Sequence, residues 1–109
     1  MGSLAIIGQS SAANLIHIVF NNGVHDSVGG QPTVGFAVNF CEIASACGYV
    51  SVIQIESRND IVKALEYAST HPGPHFIDIH VRPGNRAGIG RPSTTPEQNK
   101  NAIMQYLGA

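Results

Sequence analysis

Charge is scarce in this chain. Six of its 109 residues are Lys or Arg and seven are Asp or Glu, a charged share of 12%. An ordinary globular domain carries about twice that share. The shortage implies that part of the surface is covered by another chain or by further sequence. Lys and Arg nowhere form a run, and the net charge is −1. That argues against nucleic acid as a partner, because binding phosphate backbones needs grouped cations. No apolar run approaches the roughly 20 residues that cross a bilayer. Met1-Gly2-Ser3 lacks the basic region that opens a signal peptide. No membrane association is expected, and the chain reads as cytoplasmic. Tryptophan is absent, and Cys41 and Cys47 are the only cysteines. Their spacing is not Cys-x-x-Cys and no His stands at metal-ligand distance along the chain, so they read as small buried hydrophobes.

What is present is apolar enough for a core. Hydrophobic residues are 43%, too many for a disordered chain, and the length suits one domain over residues 1–109. Leu4-Ala5-Ile6-Ile7 reads as a helix tail closed by Gly8. Residues 14–20, NLIHIVF, are rich in β-branched side chains and suit a buried parallel strand. Asn39, with Glu42 three residues on, opens a helix that Gly48 ends. Residues 49–55 predict a second strand. Ser57 caps a helix through about His71, with Ile61, Leu65 and Ala68 as its apolar stripe. Pro72-Gly73-Pro74 breaks it, and residues 75–81 form a third strand. Thr95, Pro96 and Gln98 announce a last helix, with Ile103, Met104 and Leu107 on its apolar face. Alternation of helix and strand means α/β: a parallel sheet flanked by helices. Ligands in such sheets sit at the carboxyl ends of strands.

The stretch that leaves the first strand, FNNGVHDSVGGQPTVG, stands at such an end. Asn22 offers a hard amide oxygen suited to Mg²⁺. Gly23, Gly29 and Gly30 allow positive φ and close backbone approach to a ligand. On composition alone Asn-Asn-Gly is also a common turn.

The sequence adds a resemblance. LIHIVFNN is similar to the second half of the thiamine-diphosphate motif, which opens Gly-Asp-Gly and closes Asn-Asn. ANLIHIVFNNGVHDSVGGQPTVGF, the tail HVRPGNRAGIGRPSTTPEQNKNAIMQYL and the opening MGSLAIIG together resemble the phosphonopyruvate and sulfopyruvate decarboxylase group, over nearly the whole chain. The Asn-Asn pair belongs to thiamine-diphosphate enzymes at large. SVGGQPT with RPGNRAGIGRPSTTPEQNK is much more specific. No Gly-Asp-Gly occurs in the chain, and neither does the domain that supplies the family's catalytic Glu. The resemblance therefore implies the C-terminal part of a cofactor domain, inactive by itself. It further implies a parent of two or more subunits, with the active site at a subunit interface.

The resemblance also implies a chemistry. Thiamine diphosphate and Mg²⁺ are the expected cofactors, and a small 2-oxo acid, 3-phosphonopyruvate, is the expected substrate. Decarboxylation gives phosphonoacetaldehyde and CO₂, a step toward 2-aminoethylphosphonate. Asn22 by its side chain and Val24 by its backbone carbonyl are the implied metal ligands. Asn22, Gly23, Val24, Gly29 and Gly30 are the implied cofactor-binding residues. His25 is either a proton carrier at the reacting carbon or a loop histidine bonded to backbone. Arg82, Arg86 and Arg91 share a glycine-rich loop and read as solvated, although forked donors also suit a phosphonate. His17 reads as a packed core residue. His71 and His75 are separated by Pro72-Gly73-Pro74, which rules out a helical metal pair, and His80 is given no role. Two other readings stand beside the first: a β-type subunit of sulfopyruvate decarboxylase, and an α/β binding module without chemistry.

Overall fold

The computed structural model describes residues 2–108. Helix α1 (Gly2–Gly8) precedes strand β1 (Ile16–Asn21). A short hairpin follows, β2 (Val24–His25) and β3 (Gln31–Pro32), joined through a 3-10 turn at Asp26–Val28. Then come α2 (Phe40–Cys47), β4 (Ser51–Ile55), α3 (Arg58–Thr70), β5 (His75–His80) and α4 (Pro96–Leu107).

The three long strands form one parallel sheet in the order β1-β5-β4. His75 stands opposite Ile16 on one side and Ser51 on the other. The central strand is the last in the chain, and all of it but His80 is buried. Phe76, Ile77 and Ile79 fill a strand that is covered on both faces, and the polar His75 and Asp78 are buried with them.

Side chains alternate across β5 and split the core in two. Ile77 and Ile79 face α3, where Ile55, Ala64 and Ala68 complete one cluster. Phe76 faces the opposite way, packing with Leu4, Ala44 and Tyr49 under α1 and α2. Phe76 and Ile77 are almost wholly buried, and each contributes about 2–3 kcal/mol by leaving water. Phe76 meets the Tyr49 ring edge-on at 5.5 Å, a favoured aromatic geometry. Gly8 is the point where α1 crosses α2: an added Cβ there would run into the Cys47 carbonyl.

The caps explain the helix ends. Asn39 accepts from Glu42 N–H, Ser57 accepts from Asn59 N–H, and Gly48 ends α2 in the left-handed region at φ +99°. Thr95 and Gln98 form the full reciprocal capping box, with Pro96 in the first turn.

Several expectations need correction. Residues 21–35 are not plain loop, since they hold the β2–β3 hairpin. The second strand starts at Ser51 rather than Tyr49, because Tyr49 N–H still serves the α2 terminus through Ala44 O. On α3 the buried face is Ile61, Ala64 and Ala68, while Leu65 is 38% exposed. Leu65 lies at the margin of a stripe that the smaller Ala64 centres. On α4 the expected apolar residues Ile103, Met104 and Leu107 are all exposed. That helix rests on its local capping signals, and no described residue covers its face.

Candidate functional site

The site forms where β1 ends. Asn21 and Asn22 are adjacent in sequence and do opposite things. Asn21 is 7% exposed. Its Nδ2 donates to Gly35 O at 2.8 Å and its Oδ1 accepts from Gly23 N–H at 3.1 Å. One buried amide thus ties both ends of the 21–35 segment together. Asn22 is half-buried and faces outward. Its Oδ1 accepts from Val24 N–H at 3.2 Å, an Asx turn, and its Nδ2 donates to Asp26 Oδ2 at 2.7 Å. An amide oxygen has two lone pairs, so one remains for another partner.

A cavity of about 300 Å³ opens beside this turn. Asn21, Asn22, Gly23, His25, Thr33 and Phe40 are among its lining residues. Of the sequence-derived residues, the fold brings Asn22, Gly23 and His25 to this wall. Val24 is opposite Pro32 in the hairpin. Proline has no N–H to give, so the Val24 carbonyl receives no ladder bond from that partner. Gly29 and Gly30 stand apart from the cavity lining, exposed at the hairpin tip with φ of +106° and +71°. There they let the 3-10 turn reverse into β3, and Gly30 N–H donates to His25 O at 2.9 Å. Gly23 has φ +70°, and a Cβ on it would strike the Phe36 ring at 2.5 Å. Only glycine permits this turn.

Sequence reasoning missed Asp26. Its Oδ2 accepts from Gly84 N–H at 2.9 Å as well as from Asn22. It also missed Asp78. That carboxylate is buried on the central strand, with Oδ2 3.3 Å from His80 Nε2 and Oδ1 without any partner. An acidic residue inside FIDIHV was the available signal. His80 further approaches Glu56 at 3.7 Å and meets the Phe36 ring at a tilt of 51°, with ring centroids 5.0 Å apart. Burial pushes the Cys41 thiol above its ordinary value, the Asp78 charge pushes the same way, and a hydrogen bond to the Asp78 backbone opposes them. Burial likewise raises Tyr49, with Cys47 adding to it.

The remaining histidines are structural. His17 Nδ1 bonds Tyr49 Oη at 2.8 Å within the core. His75 Nε2 is 2.9 Å from the His71 carbonyl, which only accepts, so Nε2 carries the proton. In the neutral ring Nδ1 then accepts from Ser51 Oγ at 2.7 Å, tying β4 to β5. Among the described residues no three His, Cys, Asp or Glu side chains gather as a metal site, and no helix is long and apolar enough to cross a membrane.

Fold and loop placement define the class first: a parallel α/β domain with a glycine-rich loop and a cavity at the carboxyl end of a strand. Residues 1–79 match the family described as thiamine pyrophosphate enzyme, C-terminal TPP binding domain, and the chain belongs to that family. It is 44% identical over 107 residues to a phosphonopyruvate decarboxylase of Streptomyces viridochromogenes, covering 98% of this chain and 27% of that protein. It is 42% identical to the phosphonopyruvate decarboxylase of Streptomyces hygroscopicus, covering 97% and 26%. To the sulfopyruvate decarboxylase of Methanosarcina acetivorans it is 28% identical, covering 90% and 26%. The chain thus spans about a quarter of the length of these relatives. No solved structure matches it.

Proposed function

We propose that this chain is the C-terminal part of the cofactor domain of a decarboxylase that converts 3-phosphonopyruvate to phosphonoacetaldehyde and CO₂, with thiamine diphosphate and Mg²⁺ as cofactors. The observation that carries the reading is the 44% identity to a phosphonopyruvate decarboxylase across nearly the whole chain, against 28% to a sulfopyruvate decarboxylase.

The residues present fit an Mg²⁺–diphosphate group. The spare lone pair of Asn22 Oδ1 and the Val24 carbonyl are hard, neutral oxygens within one turn, and Mg²⁺ selects such donors. The glycine at position 23 keeps side-chain bulk out of the turn. Mg²⁺ takes six oxygens, so the diphosphate, water and the rest of the intact protein supply the others. Asn22, Gly23 and Val24 would hold the metal end of the cofactor. Gly29 and Gly30, away from that wall, would serve the cofactor only through the hairpin turn they make. When bound, thiamine diphosphate supplies the electron sink for the pair left behind by CO₂.

The chain's own contribution is placement and one proton. His25 lines the cavity and is exposed to it. It would deliver a proton to the carbon that CO₂ has left, as an imidazole placed beside a reacting group can do. The hairpin holds His25 in place through the Gly30–His25 bond. The intact enzyme would work in the cytoplasm as an oligomer, with its active site between subunits.

The test is CO₂ release by the intact protein from phosphonopyruvate and from sulfopyruvate, with both cofactors, beside an Asn22→Ala variant. Turnover of phosphonopyruvate that the variant loses supports the proposal. Turnover of sulfopyruvate alone reassigns the substrate, and turnover of neither removes the reaction.

A further inference from the structure

Asp26 opens the 3-10 turn beside the cavity, and its Oδ2 receives two donors from different parts of the chain. The first is the Asn22 amide nitrogen at 2.7 Å. An ionised carboxylate only accepts hydrogen bonds. The nitrogen of the Asn22 amide must therefore face Asp26, which fixes Oδ1 at the opposite end. The terminal amide torsion has two wells, and without Asp26 only the 3.2 Å bond from Val24 N–H selects between them. One of them would present N–H to a cation and repel it.

The second donor is Gly84 N–H at 2.9 Å, 58 residues along the chain. Gly84 opens the stretch after β5. Asn85, Arg86, Gly88, Ile89, Gly90 and Arg91 follow it and line a separate cavity of about 340 Å³. One carboxylate oxygen thus joins the turn that carries Asn22 to the loop that carries the arginines. A loop of exposed residues has little else to hold it, and a charge-assisted bond is among the stronger single tethers available.

We propose that Asp26 is a positioning residue with two duties: it orients the Asn22 amide for metal binding, and it latches the arginine loop beside the cofactor turn. The first duty rests on the metal role proposed for Asn22. The second does not.

The experiment uses the intact protein and the variants Asp26→Ala, Asn22→Ala and the double variant. Thiamine diphosphate binding is measured by calorimetry across a range of Mg²⁺ concentrations, and Mn²⁺ binding by electron paramagnetic resonance. Backbone hydrogen exchange is followed by mass spectrometry over residues 82–92. In Asp26→Ala the apparent metal affinity should fall by about 10- to 100-fold, as it does when a group that orients a ligand is lost. Exchange in residues 82–92 should quicken by about 10-fold or more, the effect of losing one charge-assisted bond. On the Asn22→Ala background the Asp26 change should add no further metal loss, yet still loosen the loop. That non-additivity marks action through Asn22, and a merely structural residue would not show it.

If wild-type protein shows no Mg²⁺-dependent cofactor binding, the metal reading fails and the first duty with it, while the exchange arm still decides the latch. If wild type binds normally and Asp26→Ala matches it, the first duty alone is overturned. Unchanged exchange over residues 82–92 overturns the latch.

Discussion

Replacing Asn21 and Asn22 separately by alanine should give opposite results in a stability measurement. Asn21→Ala removes two hydrogen bonds at a 7% exposed site. It leaves Gly23 N–H and Gly35 C=O without their partner. Each lost bond contributes about 1 kcal/mol net, and a buried group left unpaired costs about 1–3 kcal/mol. Partial entry of water into the vacated space offsets some of this, so the loss should be about 2–4 kcal/mol. Asn22→Ala also removes two bonds, but their partners Val24 and Asp26 are half-buried and exposed. Water can replace the amide there, and the cost should stay under about 1 kcal/mol. The assay is urea unfolding followed by far-UV circular dichroism. With a slope of about 1–2 kcal/mol/M, the Asn21→Ala midpoint should fall by roughly 2 M and the slope should not change. Equal midpoint shifts, or a larger one for Asn22→Ala, would refute the division of labour between the two residues.

Other outcomes are expected on the same grounds. His25→Gln should lower kcat of the intact enzyme by about 10²-fold or more while thiamine diphosphate still binds, because general acid–base groups contribute on that scale; steady-state kinetics beside calorimetry decide it. Gly8→Ala should destabilise the fold by about 1–3 kcal/mol by forcing α1 off the Cys47 carbonyl, read as a lower thermal midpoint. Cys41 should react with iodoacetamide more slowly at pH 8 than a free thiol, with its rate profile displaced above the ordinary value of 9.0. Tyr49 is raised above its ordinary value of 10.0, so the unfolded chain ionises it first. Its contribution to stability is whole below pH 10 and is lost as pH rises through the folded value; Tyr49→Phe should flatten that alkaline limb in denaturation curves.

The architecture was legible because each helix carried its own punctuation. Asn39, Ser57 and Thr95 were readable as caps, and all three accept the bonds their positions imply. The strand order was not legible, since no local signal says that the last strand lies in the middle. The hairpin at residues 24–32 was hidden by its own glycines, which look like loop and act as its turn. At the site, Asn22, Gly23 and His25 could be found from motif and position. Asp26 could not, because one of its two bonds spans 58 residues. The two asparagines look alike in a string of letters, and burial separates the brace, Asn21, from the more accessible Asn22. Leu65 was misplaced because hydrophobicity ranked it above Ala64, while close helix–sheet contact favours the smaller side chain.

The position of β5 has a consequence for biosynthesis. Among the described residues, β1 and β4 have no partner strand except β5. While a ribosome is still adding residues before His75, both waiting strands carry unpaired backbone edges and apolar side chains such as Val19 and Ile55 that the core later covers. Sheet formation is deferred until the final strand emerges and closes both long loops at once, a topology that folds slowly and leaves nascent chains open to aggregation. A chain stalled short of residue 75 would be a client for chaperones, and one whose residues through His80 have left the ribosome could pair these three strands.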